Sequence, residues 1–458
     1  ILAAPAGGYA YYINTPAAIV IANYNNLYTP GNFIANWGGT NYINLAALRT
    51  ASGKEANSRS VFPHFASDTD LHTLAPWLDG VGTVLSAVTD DIDGEARGAS
   101  PDIGADQFVP DPATTTPLAG SYTIGSGGTY ASFSAAAADL TLKGLSGAVT
   151  LNVLSGTYLE QVTFWEVPGA SATNTITVQS QSGNPGDVTL FYAAASDEDN
   201  FLVRLWGADY FRFRHLSFTA NNNPNPARGR IFSLFAGVEN LTIEGNIFNG
   251  SPINSINGYF DIIYGIGLVS SNSTAYLTPR LIQNNTFHNG STGIHIDGIS
   301  TGTLASGTQI LNNTFTNVRR GIELNYHVAP VISGNTITAL SDRGIELTYC
   351  DGALVVTKNK ISVTNTYSLY LYACDGGVPP GGTPGLIANN FITNLGNGGR
   401  GIYSYSNTYQ NFYYNSVNVT GNNDPRAFDD YNSANLNVVN NILAAPAGGY
   451  AYYINTPA

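Results

Sequence analysis

Short segments of alternating apolar and polar residues recur along the second half of the chain, each just after an asparagine. From residue 231 onward these segments read GNIF, NNTF, NNTF, GNTI, KNKI, NNFI, YNSV and NNIL, and successive asparagines lie 22 to 39 residues apart. The alternation predicts a short β-strand after each asparagine. The recurring position is occupied by Asn246, Asn285, Asn313, Asn335, Asn359, Asn390, Asn415 and Asn441.

A second series of alternating segments interleaves with the first and is entered mostly through glycine or another small residue. These segments are GIHI at 293, GIEL at 321, GIEL at 344, SLYL at 368, GIYS at 401 and AFDD at 427. Two short strands per repeat, with loops of variable length, are typical of a parallel β-helix. We therefore predict an all-β, parallel β-helix solenoid, right-handed because parallel crossovers almost always have that hand.

The recurring asparagines are interpreted as structural. Equivalent strands of a β-helix stack roughly 4.8 Å apart, so like side chains form ladders. An inward asparagine in such a ladder can hydrogen-bond the backbone at its turn and its neighbours above and below. The NxS/T matches at Asn284 and Asn312 arise from this ladder, so we do not interpret them as glycosylation sites.

The chain begins and ends with the same 17 residues, ILAAPAGGYAYYINTPA, at 1–17 and 442–458. An old duplication would have drifted, because surface loops accept substitutions at little cost in stability. The repeat therefore indicates a window from a tandem array with a period of 441 residues. Asn25 plus one period falls 25 positions after Asn441, so Asn25 is predicted to supply the next turn of the ladder.

The first quarter of the chain is predicted to close one β-helix module. Residues 28–108 are rich in turn formers and predict an irregular C-terminal cap, so 1–108 contains the last turns and cap of one module. Residues 109–120, VPDPATTTPLAG, have the composition of a semi-rigid linker. Residues 121–458 are then the start and most turns of the next module, opened by a capping α-helix at 129–144 with Ser132 or Ser134 as N-cap and Gly144 as its end.

The two segments FIANWGGTNYINLAALRTASGKEANSRSVFPHF and DDIDGEARGASPDIGADQF resemble the closing segments of β-helix modules in large secreted surface proteins of Bacteroidota. These modules belong to the pectin-lyase-like superfamily. SGTYLEQVTF at 155–164 resembles their opening turn. The resemblance covers most of the chain, and its motifs specify architecture rather than chemistry.

Charge and composition exclude several classes of partner. The net charge is −13, which argues against nucleic acid or an anionic membrane surface, because both require basic patches. No apolar run approaches the roughly 18 residues needed to cross a bilayer. Two cysteines, no methionine and 11% charged residues fit an extracellular, cell-surface setting.

The pectin-lyase superfamily includes lyases, esterases and glycosidases, so the resemblance makes a catalytic site an alternative expectation for this chain. Polysaccharide lyases use a basic residue to abstract a proton beside a uronate carboxylate. Arg320, Arg343, Arg400 and Arg426 occur at one register, with Glu323 and Glu346 three residues after the first two. These residues are either a base with its partners or, as we favour, turn arginines neutralised by neighbouring acids.

FDIIYG at 260–265 resembles the pectinesterase segment that carries the nucleophilic aspartate, here Asp261. The second catalytic aspartate motif and the substrate-binding arginine motif of that family are missing from the chain. The paired aspartates of glycosidases are also absent as a motif. We therefore predict no catalytic residues, and the enzyme interpretation remains the alternative.

An oxygen-rich turn offers a candidate calcium site. Asp90, Asp91, Asp93 and Glu95 surround a glycine, and oxygen-rich loops bind hard cations. The spacing differs from that of an EF-hand, and Arg97 is an alternative neutralising partner. No other cofactor is predicted.

Outward positions on the second strand of successive turns predict an aromatic band. Tyrosines at these positions, bordered by acids and amides, are candidates to stack on sugar rings and hydrogen-bond their hydroxyls. The alternative, which we favour, is that they stabilise neighbouring turns with no ligand. The candidate glycan-contact residues are Tyr12, Tyr370, Tyr372, Tyr403, Tyr405 and Tyr431.

Cys350 and Cys374 occur in TYCDG and YACDG, 24 residues or one turn apart. Their Cα atoms are predicted to lie roughly 4.8 Å apart, within the range of a disulfide. We expect stacked neighbours that form a disulfide in an extracellular protein.

Together these patterns predict a non-catalytic, extracellular fibre or adhesin stalk built from tandem β-helix modules. The predicted partners are copies of the same chain, joined head to tail covalently or end-on, and surface glycans along the tyrosines. The alternative is a lyase-type, polysaccharide-active enzyme that uses the arginine and glutamate rows.

Overall fold

A computed structural model of the 458-residue chain provides the structure. It describes residues 2–3, 8–29, 33–42, 44–111, 116–194, 200–220, 229–235, 237–252, 260–265, 277–339, 341–377 and 382–455. Parts of the repeated ends (1, 4–7 and 456–458) and of the predicted linker (112–115) lie outside the described residues. No helix among the described residues is long and apolar enough to cross a membrane.

The described part of residues 2–108, called here the N-terminal segment, contains one α-helix, α1 (Leu45–Ser52), and five short strands, β1 (Leu2–Ala3), β2 (Tyr11–Ile13), β3 (Leu27–Tyr28), β4 (Ala35–Trp37) and β5 (Thr40–Tyr42). Parallel pairs join β1 to β3 and β2 to β4, and β4 and β5 form an antiparallel hairpin. Single-turn 3₁₀-helices occur at Pro16–Ala18 and Pro76–Leu78.

Helix α1 lies within residues that we predicted to be irregular. Asn44 caps its N-terminus, because the side chain accepts a hydrogen bond from the backbone N–H of Ala47 at 2.9 Å. Gly53 ends the helix in the left-handed conformation, with φ of 66°. Leu45 and Leu48 share the buried face. Both capping residues are present in the sequence, so the helix was detectable from its ends.

From residue 118 onward the chain forms a parallel β-solenoid of about 14 turns, which confirms the predicted fold class. Each full turn contributes one strand to each of three faces, and each strand pairs in parallel with its equivalents one turn before and after. Face 1 consists of β6 (Leu118–Ile124), β7 (Leu145–Val153), β10 (Ile176–Ser180), β13 (Phe211–Arg214), β16 (Leu241–Glu244), β19 (Leu277–Gln283), β22 (Ala305–Leu311), β25 (Val331–Ser333), β28 (Val355–Thr357), β31 (Gly385–Ala388), β34 (Gln410–Tyr413) and β37 (Asn437–Val439).

The strand after each ladder asparagine belongs to face 2. Face 2 consists of β8 (Gly156–Leu159), β11 (Val188–Tyr192), β14 (Ser217–Ala220), β17 (Ile247–Asn249), β20 (Thr286–His288), β23 (Thr314–Val318), β26 (Thr336–Ala339), β29 (Lys360–Val363), β32 (Phe391–Asn394), β35 (Ser416–Val419) and β38 (Ile442–Ala444). A 3₁₀-helix at Pro185–Asp187 precedes β11.

The second series of alternating segments forms face 3. Face 3 consists of β9 (Val162–Trp165), β12 (Val203–Trp206), β15 (Phe232–Phe235), β18 (Ile263–Gly265), β21 (Thr292–Asp297), β24 (Arg320–Val328), β27 (Arg343–Asp351), β30 (Tyr367–Tyr372), β33 (Arg400–Tyr405), β36 (Arg426–Tyr431) and β39 (Tyr450–Asn455).

Alternation along each strand places apolar residues inside and polar residues outside. On face 3, Ile322 pairs with Ile345, which pairs with Leu369, and all three are fully buried. On face 2 the rings of Phe248, Phe287 and Phe315 stack, the last two at 4.6 Å between centroids. The inner residues from Leu118 to Phe428 form one continuous core, so each turn is stabilised by burial against its neighbours.

Helix α2 (Phe133–Lys143) covers the first turns of the solenoid, which confirms the predicted capping helix. The Ser132 hydroxyl accepts a hydrogen bond from the N–H of Ala135, and Gly144 ends the helix with φ of 63°. The Glu160 carboxylate accepts two more N–H groups of the first turn, those of Phe133 and Ser134. An edge of the sheet is thereby covered rather than left open to pairing.

The N-terminal segment has its own small cores and packs beside the first turns. Leu27, Trp37 and Leu48 belong to one cluster, separate from the solenoid core. The Tyr28 ring lies 6.3 Å from the Trp165 ring, between centroids. The segment is therefore in contact with the following turns through aromatic side chains.

Candidate functional site

The eight recurring asparagines form one continuous ladder along the solenoid. The backbone N–H and the Nδ2 of each asparagine donate to the Oδ1 of the next, at 2.8–3.1 Å, from Asn246 to Asn441. Each Nδ2 also donates to a backbone carbonyl, as Asn335 does to Ile310 at 2.9 Å. These amides bond to one another and to backbone, so they are occupied structurally.

The residue before each ladder asparagine turns the chain from face 1 to face 2 with a positive φ. Gly245, Asn284, Gly334 and Asn389 are examples, with φ between 56° and 72°. Glycine and asparagine adopt this left-handed conformation at the lowest cost, which explains the recurring GN and NN pairs. Lys358 and Tyr414 occupy the same position against that preference.

A second polar ladder, which the sequence analysis missed, follows the turn from face 3 to face 1. It consists of His327, Cys350, Cys374, Asn407 and Ser433, and the first four are fully buried. The N–H of Cys374 donates to Asn407 Oδ1 at 2.8 Å, and the N–H of Cys350 lies 3.4 Å from Cys374 Sγ. Its five positions hold four residue types, and only the two cysteines match, so no single recurring letter marks the ladder in the sequence.

The structure corrects the disulfide prediction, because Cys350 and Cys374 are free thiols. Cys350 Sγ lies 3.4 Å from the carbonyl oxygen of Leu324, and Cys374 Sγ lies 3.5 Å from that of Leu347. Each thiol is therefore directed at the preceding turn, as the Asn407 amide is at the carbonyl of Leu371. The two cysteines lie one turn apart, as predicted, because Thr348 pairs with Tyr372 two residues before each of them, but side chains that point the same way do not close a disulfide.

We expect a thiol reagent to modify neither cysteine in the folded protein and two thiols per chain in the unfolded, unreduced protein. Burial raises the pKa of the Cys350 thiol well above its usual range, and the thiolate is the reactive form. A Cys374→Ser variant is the control and should show one thiol when unfolded. Absence of reactive thiols from the unfolded wild-type protein would restore the disulfide.

The acidic turn of the calcium prediction is organised by backbone hydrogen bonds. The Asp91 carboxylate accepts the N–H groups of Gln107, Glu95 and Asp93 at 2.8–3.0 Å. The bond from Gln107 is the main cause that lowers the pKa of Asp91. Arg97 donates to the carbonyl oxygens of Gly104 and Ala105 and adds a positive charge near Asp91.

Within the described residues, the structure does not bring Asp90, Asp91, Asp93 and Glu95 together as one set of ligands. Ligand atoms of Asp93 instead lie within 4.8 Å of those of His72 and Asp106. His72 Nε2 is 2.8 Å from Asp93, and Nδ1 bonds Asp70. Hydrogen bonds to Asp70 and Asp93 raise the pKa of His72 to about 9, so the exposed histidine neutralises these acids as a cation.

Five of the six predicted tyrosines lie together on the outer surface of face 3. Tyr370 pairs with Tyr403, and Tyr372 pairs with Tyr405, which pairs with Tyr431. Tyr12 lies elsewhere, in β2, where it pairs with Asn36 and is 58% exposed. Tyr453 is the equivalent of Tyr12 in the second copy of the repeated sequence, and it pairs with Asp429 on face 3 beside the other five tyrosines. The prediction therefore named the wrong one of two identical copies. The five residues with Tyr453 are called the tyrosine band.

The rings of the tyrosine band are stacked along the solenoid axis. The centroids of Tyr370 and Tyr403 are 5.2 Å apart with planes at 13°, and those of Tyr372 and Tyr405 are 5.3 Å apart with planes at 25°. The guanidinium of Arg426 lies 3.6 Å from the ring centroid of Tyr453. Ring faces are thus occupied by neighbouring side chains, so the band presents ring edges and hydroxyl groups outward.

The arginine and acid rows beside the tyrosine band form a network of ion pairs. Arg320 Nε lies 2.7 Å from Asp342, and its Nη1 lies 2.8 Å from Glu323 and 3.5 Å from Glu346. Arg343 pairs with Glu346. The network crosses turns because Glu323 lies directly opposite Glu346 in register.

A second group of ion pairs lies further along face 3. Arg400 and Arg426 flank Asp429, at 2.6 and 3.1 Å, and Arg426 also contacts Asp424 at 2.5 Å. Asp429 is fully buried, so two arginines compensate the cost of desolvating its carboxylate. The predicted arginine register is therefore a register of salt bridges.

These contacts favour the protonated form of Arg320 and Arg426. Burial disfavours the charge of Arg320, but the charges of Glu323 and Glu346 outweigh it and raise the pKa further above its ordinary value. Burial likewise opposes the charge of Arg426, and hydrogen bonds to Asp424 and Asp429 raise its pKa. A guanidinium held in this way cannot accept the proton that a lyase base must remove.

Asp261, the residue of the pectinesterase-like segment, forms a pair with His295. Asp261 Oδ2 lies 2.9 Å from His295 Nδ1, and Asp297 lies 3.2 Å from Nε2. Burial lowers the pKa of His295, but the hydrogen bonds to Asp261 and Asp297 raise it to about 10. The histidine is therefore a cation at neutral pH and is not available as a general base.

A cleft between the N-terminal segment and the first turns contains perturbed carboxyl groups that the sequence analysis did not single out. Its lining includes Arg49, Arg59, Asp209 and Glu239. Asp209 accepts the backbone N–H of Glu239 at 2.6 Å, and burial raises its pKa to about 8. Such carboxyl groups in a cleft are candidates for acid–base chemistry.

The family model described as "Periplasmic copper-binding protein (NosD)" matches residues 279–450 of the chain. The match covers less than half of the chain and includes the asparagine ladder from Asn285 to Asn441. None of the curated proteins matches the chain.

Similar solved structures include several enzymes. A pectin methylesterase from Aspergillus niger is 14% identical, covers 75% of this chain and 92% of its own, and has a TM-score of 0.34. The A-module of a mannuronan C-5 epimerase from Azotobacter vinelandii is 14% identical, with 68% and 92% covered and a TM-score of 0.37. A mannuronic acid specific polysaccharide family 6 lyase from human gut microbiota is 14% identical, with 64% and 77% covered and a TM-score of 0.32. At these values the likeness gives no information on activity.

Proposed function

We propose that this chain is a non-catalytic structural module of an extracellular fibre or adhesin stalk at the cell surface. In this proposal 441-residue periods are joined head to tail, either within one polypeptide or end-on between chains. The observation that carries the proposal is the unbroken asparagine ladder from Asn246 to Asn441, in which each amide bonds the next turn. Such ladders give length and stiffness along one axis.

The groups beside the asparagine ladder support the same function. Tyrosine faces stack on one another, and arginines pair with acids of the same and adjacent turns. These side chains stabilise contacts between turns rather than converge on a substrate-sized pocket. A glycan partner would meet the hydroxyl edges of the tyrosine band, because the ring faces are already occupied.

The lyase-type enzyme remains the second candidate. It would use Arg343 beside the tyrosine band or Asp209, a carboxyl with a raised pKa in a cleft that Arg49 also lines. The first site is disfavoured because the arginines are ion-paired. The second is disfavoured because the Asp209 carboxylate caps the backbone N–H of Glu239.

A panel of neutral and uronate-containing polysaccharides separates the two functions when both retention and cleavage products are measured. We expect no cleavage by the wild-type protein. Arg343→Ala and Asp209→Asn are the matched variants for the two candidate enzyme sites. Cleavage that either substitution abolishes would replace the structural proposal with an enzymatic one.

The fibre itself is tested on native material. Electron microscopy should show filaments with a regular axial repeat, and the mass of the intact native chain should distinguish one long polypeptide from chains joined end-on. Native particles that are compact single modules would contradict the proposal.

A further inference from the structure

Tyrosine rings on face 3 form one contiguous network across five successive turns, from β24 to β36. Neighbouring rings of the same or the adjacent turn have 4.9–6.3 Å between their centroids. All of these residues are partly exposed, so small oxidants in solution can reach the ring edges and hydroxyl groups. The set, called here the tyrosine network, consists of Tyr326, Tyr349, Tyr367, Tyr370, Tyr372, Tyr403, Tyr405 and Tyr431.

Two members from adjacent turns, Tyr367 in β30 and Tyr403 in β33, are the closest pair of the network. Their ring centroids are 4.9 Å apart and their planes are tilted by 53°. Tyr370 also approaches Tyr403, at 5.2 Å, but these planes are nearly parallel at 13°, so the two rings meet through their faces. Two aromatic rings that are bonded directly are joined through carbon atoms at their edges. The tilted pair is therefore nearer to a bonded geometry than the stacked pair is.

A neighbouring cation distinguishes the same tyrosines further. The Arg343 guanidinium lies 4.4 Å from the ring centroid of Tyr370 and 5.5 Å from that of Tyr367. A cation attracts the electrons of a ring face, so it disfavours the removal of an electron from that ring, and this effect falls with distance. Oxidation by one electron is therefore less favourable at Tyr370 than at Tyr367.

We propose that the tyrosine network is a site of oxidative cross-linking, in which Tyr367 and Tyr403 form a dityrosine bond between adjacent turns. The co-reactant is hydrogen peroxide, acting through a peroxidase-type one-electron oxidant. Each phenol gives one electron to the oxidant and its hydroxyl proton to water, which leaves two phenoxyl radicals. These form a carbon–carbon bond between the ring positions next to the hydroxyl-bearing carbons, and each displaced ring hydrogen moves as a proton to the phenoxyl oxygen. One hydrogen peroxide is reduced to two water molecules in the process.

The cross-link gives the solenoid a covalent connection between turns, in addition to its hydrogen bonds. It joins residues 36 positions apart, so it closes a loop in the unfolded chain and lowers the entropy gained on unfolding, as a disulfide does. The other members of the network contribute because an electron can pass between neighbouring rings, so that a radical formed on any of them reaches the close pair. This modification goes beyond the proposed fibre function and does not depend on it.

The test is limited oxidation of the full chain with a peroxidase and hydrogen peroxide. Dityrosine fluorescence measures the yield, and mass spectrometry of proteolytic peptides locates the linked residues. We expect a linked peptide pair that contains Tyr367 and Tyr403, with a yield per chain that does not change with protein concentration. Tyr403→Phe keeps the ring but lacks the hydroxyl that a phenoxyl radical requires. This variant should lose the linked pair and most of the dityrosine formed within one chain.

Tyr414→Phe is the matched control, because Tyr414 is 61% exposed and lies outside the network. It should leave the yield unchanged, although exposure alone would make Tyr414 more reactive than the half-buried Tyr403. Urea denaturation of each protein gives a second measurement. Oxidised wild-type protein should unfold at a higher urea concentration than oxidised Tyr403→Phe, and this difference should exceed that between the two unoxidised proteins.

The outcomes are separate from those of the fibre proposal. Absence of dityrosine, or dityrosine found only between chains with a yield that rises with protein concentration, would overturn the cross-link. Links located at other tyrosines in place of Tyr367 and Tyr403, or a yield that Tyr403→Phe leaves unchanged, would also overturn it. In each of these cases filaments of native material still test the fibre, and polysaccharide cleavage still tests the enzyme alternative.

Discussion

Asn335→Ala should lower the free energy of unfolding by about 4 kcal/mol, because it removes one side chain from the middle of the asparagine ladder. Asn335 Oδ1 accepts the N–H and Nδ2 of Asn313, and its own Nδ2 donates to Ile310 and to Asn359. Alanine keeps the backbone N–H, which still donates to Asn359 Oδ1, but the buried N–H of Asn313 and carbonyl of Ile310 lose this partner, and each loss costs about 1–3 kcal/mol. Urea denaturation measures the loss.

The matched control is Asn418→Ala, an asparagine at an exposed position of β35, which should change stability by less than about 0.5 kcal/mol. Hydrogen exchange adds a local measurement. The backbone N–H of Asn313 loses its acceptor in Asn335→Ala, whereas that of Asn285 keeps Asn313 Oδ1. Faster exchange confined to the segment of Asn313 is expected. Equal losses for the two substitutions would show that the ladder contributes no more than an exposed amide.

The asparagine ladder was predictable because the same residue type makes the same hydrogen bonds in every turn. The left-handed residue before each asparagine restricts the pair to a few letters, so GN and NN recur at a visible period. The second ladder performs a similar task with His327, Cys350, Cys374 and Asn407, of which only the two cysteines are the same residue type. Each donates to or contacts a backbone carbonyl of the preceding turn. The structural role is the same in each of these turns while the residue type varies, so the sequence shows the one-turn spacing of the two cysteines but not the whole ladder.

Two other misses have geometric causes. The sequence places Cys350 and Cys374 at the correct separation, but the direction of both thiols toward carbonyl groups is set by the three-dimensional turn. Tyr12 and Tyr453 have identical neighbours in sequence, so only strand register decides which one joins the tyrosine band. Register follows from the strands that each copy contacts, and those contacts are distant in sequence.

The ion pairs of face 3 were predicted as a recurring row of arginines, and their geometry explains why they are structural. Glu323 and Glu346 lie opposite each other on adjacent strands, where like charges are destabilising. Arg320 lies within 4 Å of both and of Asp342. Parallel stacking places equivalent side chains of adjacent turns opposite each other, whether they are apolar or charged. An arginine between two stacked glutamates therefore stabilises the fold by offsetting their repulsion.

Arg320→Met should lower the free energy of unfolding by about 3 kcal/mol at neutral pH, because it leaves mostly buried acids without a counter-charge. Lys360→Met, at an exposed position of β29, is the matched control and should be nearly neutral. Glu323→Gln removes one of the acids, so the double variant with Arg320→Met should lose less than the sum of the two single losses. Additive losses would show that the pair does not interact.

The loss caused by Arg320→Met should also depend on pH. Burial raises the pKa of the Asp342 carboxyl, but the hydrogen bond and charge of Arg320 hold it below its ordinary value. A carboxyl with a lowered folded-state pKa stabilises the protein above its unfolded pKa of about 4, and that contribution is lost as the pH falls through the folded value. The variant lacks this contribution, so the difference from wild type should be largest at neutral pH and shrink below about pH 4. Urea denaturation of both proteins across this range measures the change, and a difference that does not vary with pH would assign the effect of Arg320 to packing of its aliphatic stem rather than to its charge.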